Sequence, residues 1–219
     1  MWLELGVRVA CEGQKVGELK DVLIDPGANL LTHVAVDAKD GVKRLVPASA
    51  VESHGPGTHE AFLTCTIEEL EALEPVRRFA YVQFGDEPEM DDGADVGVED
   101  VVTPPAFTTD QFGTYGDPYQ TVGIAYDRIP KGEVELSHSS EVLAAGDERV
   151  GRVAGVVVED DRQLTHVVVE YGHLWGLREV AVPLASVERL ATGSVVLRLS
   201  RPQVTALPAV RVRRLPSFL

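Results

Sequence analysis

Apolar and polar side chains alternate through Val7-Arg8-Val9-Ala10-Cys11, the period of a half-buried strand, and Glu12-Gly13-Gln14-Lys15 turns the chain after it. Residues 16–25 predict a longer strand with Val16, Val22 and Ile24 on one face; Gly17 within it marks a bulge or a close strand crossing. Asp25-Pro26-Gly27-Ala28-Asn29 is a turn by composition, and residues 30–37 form the next strand. After Asp40-Gly41 a strand over 42–46 stops at Pro47, which has no N–H for a ladder. A last strand over 61–66 runs into Thr66-Ile67-Glu68-Glu69. There Thr66 and Glu69 make a capping-box pattern, which predicts a short helix over 67–73.

The same pattern then recurs. Val16-Gly17-Glu18-Leu19-Lys20-Asp21-Val22 returns as Val150-Gly151-Arg152-Val153-Ala154-Gly155-Val156, and Thr32-His33-Val34 returns as Thr165-His166-Val167. Val46-Pro47 returns as Val182-Pro183, each followed by a Val-Glu pair, Val51-Glu52 and Val187-Glu188. Gly17 and Gly151 are 134 positions apart, His33 and His166 133, and Pro47 and Pro183 136, so insertions fall between strands. The second copy predicts strands over 141–145, 150–159, 164–171, 178–182 and 194–199, with Ser200-Arg201-Pro202-Gln203 as its helix cap. The expected fold is all-β, with two tandem small β-barrels related by pseudo-two-fold symmetry. Each ends in a short helix. Their divisions are a first repeat over 1–76, an acidic, aromatic-rich connector over 77–133, and a second repeat over 134–219 with a basic C-terminal tail.

The Val-Gly-x-Val/Leu-x-Asp/Gly-Val strand, the Asp25 or Glu159 at its end, the apolar strand that follows and the later Val-Pro together resemble the PRC-barrel domain. That module occurs at the end of the photosynthetic reaction-centre H subunit and in a ribosome maturation factor. The resemblance is found once per repeat. It implies a non-catalytic barrel used for protein–protein contact in assembling larger complexes. The transmembrane helix of the reaction-centre relatives and the separate N-terminal barrel of the ribosomal ones have no counterpart in this sequence, so those two specific functions are not implied.

Charge narrows the partners. The formal net charge is −15, which repels phosphate backbones and disfavours nucleic acid while suiting a protein partner with a basic surface; a homodimer is also compatible. No apolar run approaches the ~18 residues of a membrane span, and the start of the chain lacks signal-peptide character, so cytoplasm is expected. Cys11 and Cys65 are then read as two buried thiols rather than a disulfide.

The connector carries eight of the eleven Phe and Tyr residues beside an acidic stretch, 86–100, read as solvated loop. Aromatic rings gain most when removed from water, so the connector is expected either to pack on the barrels or to present anchors. Phe107, Phe112, Tyr115 and Tyr119 are the candidate partner-binding residues, because Pro104, Pro105, Gly113, Gly116 and Pro118 around them favour a presented loop.

Catalytic chemistry is sparse. His54, His59, Glu52 and Glu60 flank Gly55-Pro56-Gly57 but read as polar loop residues, and no metal or cofactor is implied. His33 and His166, at one repeat position, are read as structural hydrogen-bonders at a strand start. Ser49 and Ser186 have no His or Asp placed by motif to activate them, and Asp91-Asp92 and Asp160-Asp161 read as solvated turns. The expectation is a non-enzyme that binds protein. A ribosome- or RNA-associated factor using the Arg-rich tail is the alternative, and a small-ligand binder at the inter-repeat cleft the third reading.

Overall fold

The computed structural model describes residues 1–52, 60–83, 94–96, 121–172 and 176–213. Among these residues the fold is all-β, with two six-residue α-helices. Repeat 1 contains β1 (Trp2–Glu4), β2 (Arg8–Cys11), β3 (Gln14–Asp25), β4 (Leu30–Ala38), β5 (Lys43–Pro47), β6 (Val51–Glu52), β7 (Glu60–Leu63) and α1 (Ile67–Ala72). The connector supplies β8 (Arg77–Gln83), β9 (Ala94–Val96) and β10 (Thr121–Pro130). Repeat 2 contains β11 (Val134–Ser137), β12 (Glu141–Leu143), β13 (Arg149–Val158), β14 (Leu164–Tyr171), β15 (Leu177–Pro183), β16 (Val187–Ala191), β17 (Ser194–Leu197), α2 (Arg201–Ala206) and β18 (Ala209–Arg213).

The two halves share one strand order. In repeat 1 it is β5-β4-β3-β2-β7-β6, and in repeat 2 β15-β14-β13-β12-β17-β16, with β18 added beside β15. Both orders include a parallel pair, β2 with β7 and β12 with β17, and neither sheet closes on itself among the described strands. Both first hairpins turn through two residues of positive φ, Glu12 (50°) and Gly13 (76°) in one, Gly146 (87°) and Asp147 (61°) in the other. In repeat 1 they are the two central residues of a two-residue loop, the turn whose twist matches the flanking strands, whereas repeat 2 uses a three-residue loop in which Asp147 N–H donates to Ala144 O at 3.1 Å. Gly17 and Gly151 mark the predicted close crossing. A Cβ would stand 2.3 Å from the Asp37 carbonyl oxygen in one repeat and 2.1 Å from that of Glu170 in the other.

The halves are not side by side but interlaced. β1, at the head of repeat 1, pairs with β13 of repeat 2, and β11, at the head of repeat 2, pairs with β3 of repeat 1. Leu3 lies opposite Val156, and Leu136 opposite Val22. Those positions correspond through the repeat, so one pairing occurs twice about a pseudo-two-fold axis. At the axis Leu31 N–H donates to Arg162 O at 3.0 Å and Leu164 N–H to Asn29 O at 2.8 Å, around a bridge between Leu30 and Gln163.

A single apolar core follows from this lacing. Leu3, Val22, Ile24 and Val34 belong to it together with Leu136, Val156, Val158 and Val167. Leu3 and Leu136 are both 0% exposed, each contributing about 2 kcal/mol to the attachment of its three- or four-residue strand. A second, small cluster of Leu23, Ala35 and Ile129 covers the outer face of the repeat 1 sheet with the end of β10.

The connector differs from its expected form. Residues 94–96, inside the stretch read as loop, are paired with 128–130, and β8 and β10 pair antiparallel over 77–83 and 121–127. The short apolar run Phe79-Ala80-Tyr81-Val82 is a strand signal that the acidic composition nearby obscures.

Both helices start where the caps predict. Glu69 N–H donates to Thr66 Oγ1 at 3.1 Å and Thr66 N–H to Glu69 Oε2 at 2.9 Å. At Ser200 the arrangement differs. Its hydroxyl and its N–H both reach Gln203 Oε1, at 2.9 and 2.8 Å, within a capping box whose backbone donor is Gln203 because Pro202 has no N–H.

Candidate functional site

The four rings singled out in the connector, Phe107, Phe112, Tyr115 and Tyr119, lie outside the described residues, as do His54, His59, Asp91 and Asp92. The paired histidines are described, and the symmetric hydrogen bond belongs to their neighbours instead. Thr165 Oγ1 donates to Val157 O at 3.0 Å and Thr32 Oγ1 lies 3.1 Å from the equivalent Leu23 O, each beside a register shift in the ladder, but the Thr32 hydroxyl also has Glu133 Oε2 at 2.7 Å as a second acceptor. The histidines diverge: His33 Nδ1 stands 3.6 Å from Glu133 Oε2, and His166 Nδ1 lies 3.1 Å from Thr165 Oγ1.

Among the described residues, clefts on two faces carry polar groups. The first, about 490 Å³, lies where the repeats meet and is lined by Met1, Ser49, Glu52, Asp160, Asp161 and Arg162 among others. Ser49 comes from the 3-10 turn after β5, and Asp161 Oδ1 closes its own turn by accepting from Gln163 N–H at 3.1 Å. Ser186 occupies the equivalent 3-10 turn of repeat 2.

The second cleft, about 800 Å³, opens beside β3 and β5 and is lined by Lys20, Asp21, Asp37, Val42, Lys43 and Pro75. Its wall holds a charged cluster. Lys43 Nζ lies 2.6 Å from Asp21 Oδ2 and 3.0 Å from Glu135 Oε1. The two carboxylates come from different halves of the chain, β3 and the exchanged β11, and are 4% and 2% exposed. Burial raises the Asp21 carboxyl most, the Lys43 ammonium opposes this, and the Glu135 carboxylate adds to it, leaving Asp21 at about 6. Near neutral pH the group therefore exchanges a proton, and it can either donate or accept a hydrogen bond at the cleft wall.

These three residues were not among the sequence candidates. Asp21 interrupts an otherwise apolar face of β3, and Lys43 opens a short strand, so each was visible as a charge in a buried run. Glu135 was not, because only the strand exchange brings it to them.

Cys11 and Cys65 are free thiols, but Cys65 sits just past the end of β7 and is only half-buried, whereas Cys11 is buried. No group of three His, Cys, Asp or Glu among the described residues is placed to hold a metal ion. No described helix is long and apolar enough to cross a membrane. No protein-family model matches the chain, and no curated protein matches it.

Proposed function

We propose that the chain is a non-catalytic assembly module, two PRC-like β-barrels that hold a protein partner with a basic surface. The observation that supports this reading best is the reciprocal exchange of β1 and β11. It ties both repeats into one core, so equivalent faces keep a fixed separation, as a scaffold requires. The acidic net charge of −15 favours a basic partner and speeds its encounter. Phe107, Phe112, Tyr115 and Tyr119 are its proposed anchors, with the acidic residues nearby as an electrostatic rim.

Native pull-down with mass spectrometry, run beside thermal melting on the four-ring alanine variant, tests this. Anchors predict an unchanged melting temperature and loss of the partner. Rings buried against the sheets would instead destabilise by roughly 3 kcal/mol each; unfolding, or a stable variant that keeps every partner, contradicts the reading. Salt-sensitive co-sedimentation with ribosomal subunits would move the assignment to a ribosome-associated factor.

One observation favours a second reading, a small-ligand binder. Ser49, Glu52, Asp161 and Arg162 converge on the inter-repeat cleft from both halves of the chain. A thermal-shift screen of small polar and cationic compounds tests it. A hit abolished by Arg162→Ala and Asp161→Asn supports this reading, and a screen without hits removes it.

A further inference from the structure

Cys11 ends β2 and lies opposite Leu63 in the parallel pair with β7, two residues before Cys65. Adjacent strands are about 4.8 Å apart, so Leu63 stands one strand spacing from Cys11, and the chain bends at 64–65 to bring Cys65, 54 positions from Cys11, back against it. The Cys11 thiol donates to the carbonyl oxygen of Cys65 itself at 2.6 Å. That carbonyl carbon is bonded to the Cα bearing the second side chain, so the first sulfur already lies against the backbone of the second cysteine, and a disulfide needs the two side chains to turn toward each other.

We propose that Cys11 and Cys65 are an oxidation site, a dithiol that a hydroperoxide converts to an intramolecular disulfide clamping β2 to the start of α1. The half-buried Cys65 is the sulfur an oxidant reaches first, and the buried Cys11 resolves it. In the first step the Cys65 thiolate attacks one peroxide oxygen and the O–O bond breaks; the released hydroxide takes a proton, giving a sulfenic acid and water. In the second, Cys11 loses its proton and attacks the Cys65 sulfur. The S–O bond breaks and a second water leaves. Two electrons pass from the thiol pair to the peroxide, and one S–S bond forms.

The surroundings set the rate. Burial raises both thiols above their ordinary range, and the carboxylates of Glu12 and Glu69 add to the effect. Few thiolates are present at neutral pH, so the pair resists brief exposure and responds to sustained or alkaline oxidation. The site belongs to repeat 1 alone. Ala145 and Leu199 occupy the equivalent places in repeat 2, where Ala145 N–H donates to Leu199 O at 2.9 Å.

The test is hydrogen peroxide treatment of the folded full-length chain over a pH series, followed by non-reducing peptide mass spectrometry. The expected product is a monomer lacking two hydrogens, with the Cys11 and Cys65 peptides linked. It should form about tenfold faster for each pH unit until the thiols ionise and melt several degrees higher than the reduced chain. Cys11→Ser should stop at a sulfenic acid on Cys65 that dimedone captures, and Cys65→Ser should leave Cys11 unlabelled. Sulfonic acid at Cys65 with Cys11 intact, a disulfide between two chains, or thiols unchanged until the protein is unfolded would each overturn the proposal.

Discussion

The two repeats share a backbone and differ in their charges. Leu19, Val22, Ile24, Val34 and Val46 in repeat 1 match Val153, Val156, Val158, Val167 and Val182 in repeat 2, and all ten are buried. Where repeat 1 places Asp21, Lys43 and Glu135 around one cleft, the equivalent positions in repeat 2 hold Gly155, Glu179 and Trp2. Where repeat 2 seals Glu170 with Arg152 at 2.8 Å, repeat 1 has Asp37 and Glu18, and Asp37 faces the cleft. Apolar packing is thus common to both halves, while the polar cleft and the thiol pair belong to one. A duplicated frame with one chemically distinct half gives a symmetric fold a single distinct face.

The frame can be broken at its crossings. Gly17→Ala and Gly151→Ala each force a Cβ into a facing backbone carbonyl, so both should cost about 3 kcal/mol or more in urea unfolding. Near-equal losses are expected if the repeats are equivalent. Gly155→Ala should be comparably severe, since its Cβ would stand 2.2 Å from Leu3 O, yet its counterpart in repeat 1 already carries a side chain as Asp21.

The exchanged strands come next. Leu3→Ala and Leu136→Ala should each cost about 3 kcal/mol. Hydrogen exchange should show the first loosening β13 and the second loosening β3, that is, the half distant in sequence. Loosening of the nearer half would break the comparison.

The charged cluster sharpens it through pH. Asp21 has a folded value of about 6 against an ordinary 3.8, so the folded state binds its proton more tightly than the unfolded chain does. Its stabilising contribution is complete below pH 3.8 and is lost as the pH rises through 6. Asp21→Asn should remove that loss, so the variant's advantage over the natural protein grows by about 2–3 kcal/mol from pH 4 to 7. An advantage that is constant with pH would contradict the assignment. Smallest are the caps: Thr66→Ala should cost about 1 kcal/mol, and Ser200→Ala less, because Pro202 leaves that first turn one N–H fewer to satisfy.

Much of this frame was legible in the residues. The Val-Gly strands, the Val-Pro stops and the Thr66 cap each carry a local physical signal, and their recurrence set the correspondence between halves. The exchange was not legible. Trp2-Leu3-Glu4 and Val134-Glu135-Leu136-Ser137 are too short to show which long strand they join, since either partner buries the same leucine. The charged cluster inherits that blindness through Glu135. The role of the threonines beside the paired histidines was not legible either, because the ladder irregularity that they meet arises only once the neighbouring strands are paired.

Interlacing is the central claim, and cross-strand proton contacts measured by NMR on the full chain test it most directly. The account predicts backbone contacts between Leu3 and Val156 and between Leu136 and Val22. Contacts of Leu3 with Val22 and of Leu136 with Val156 would mean that each repeat keeps its own leading strand, and would contradict it.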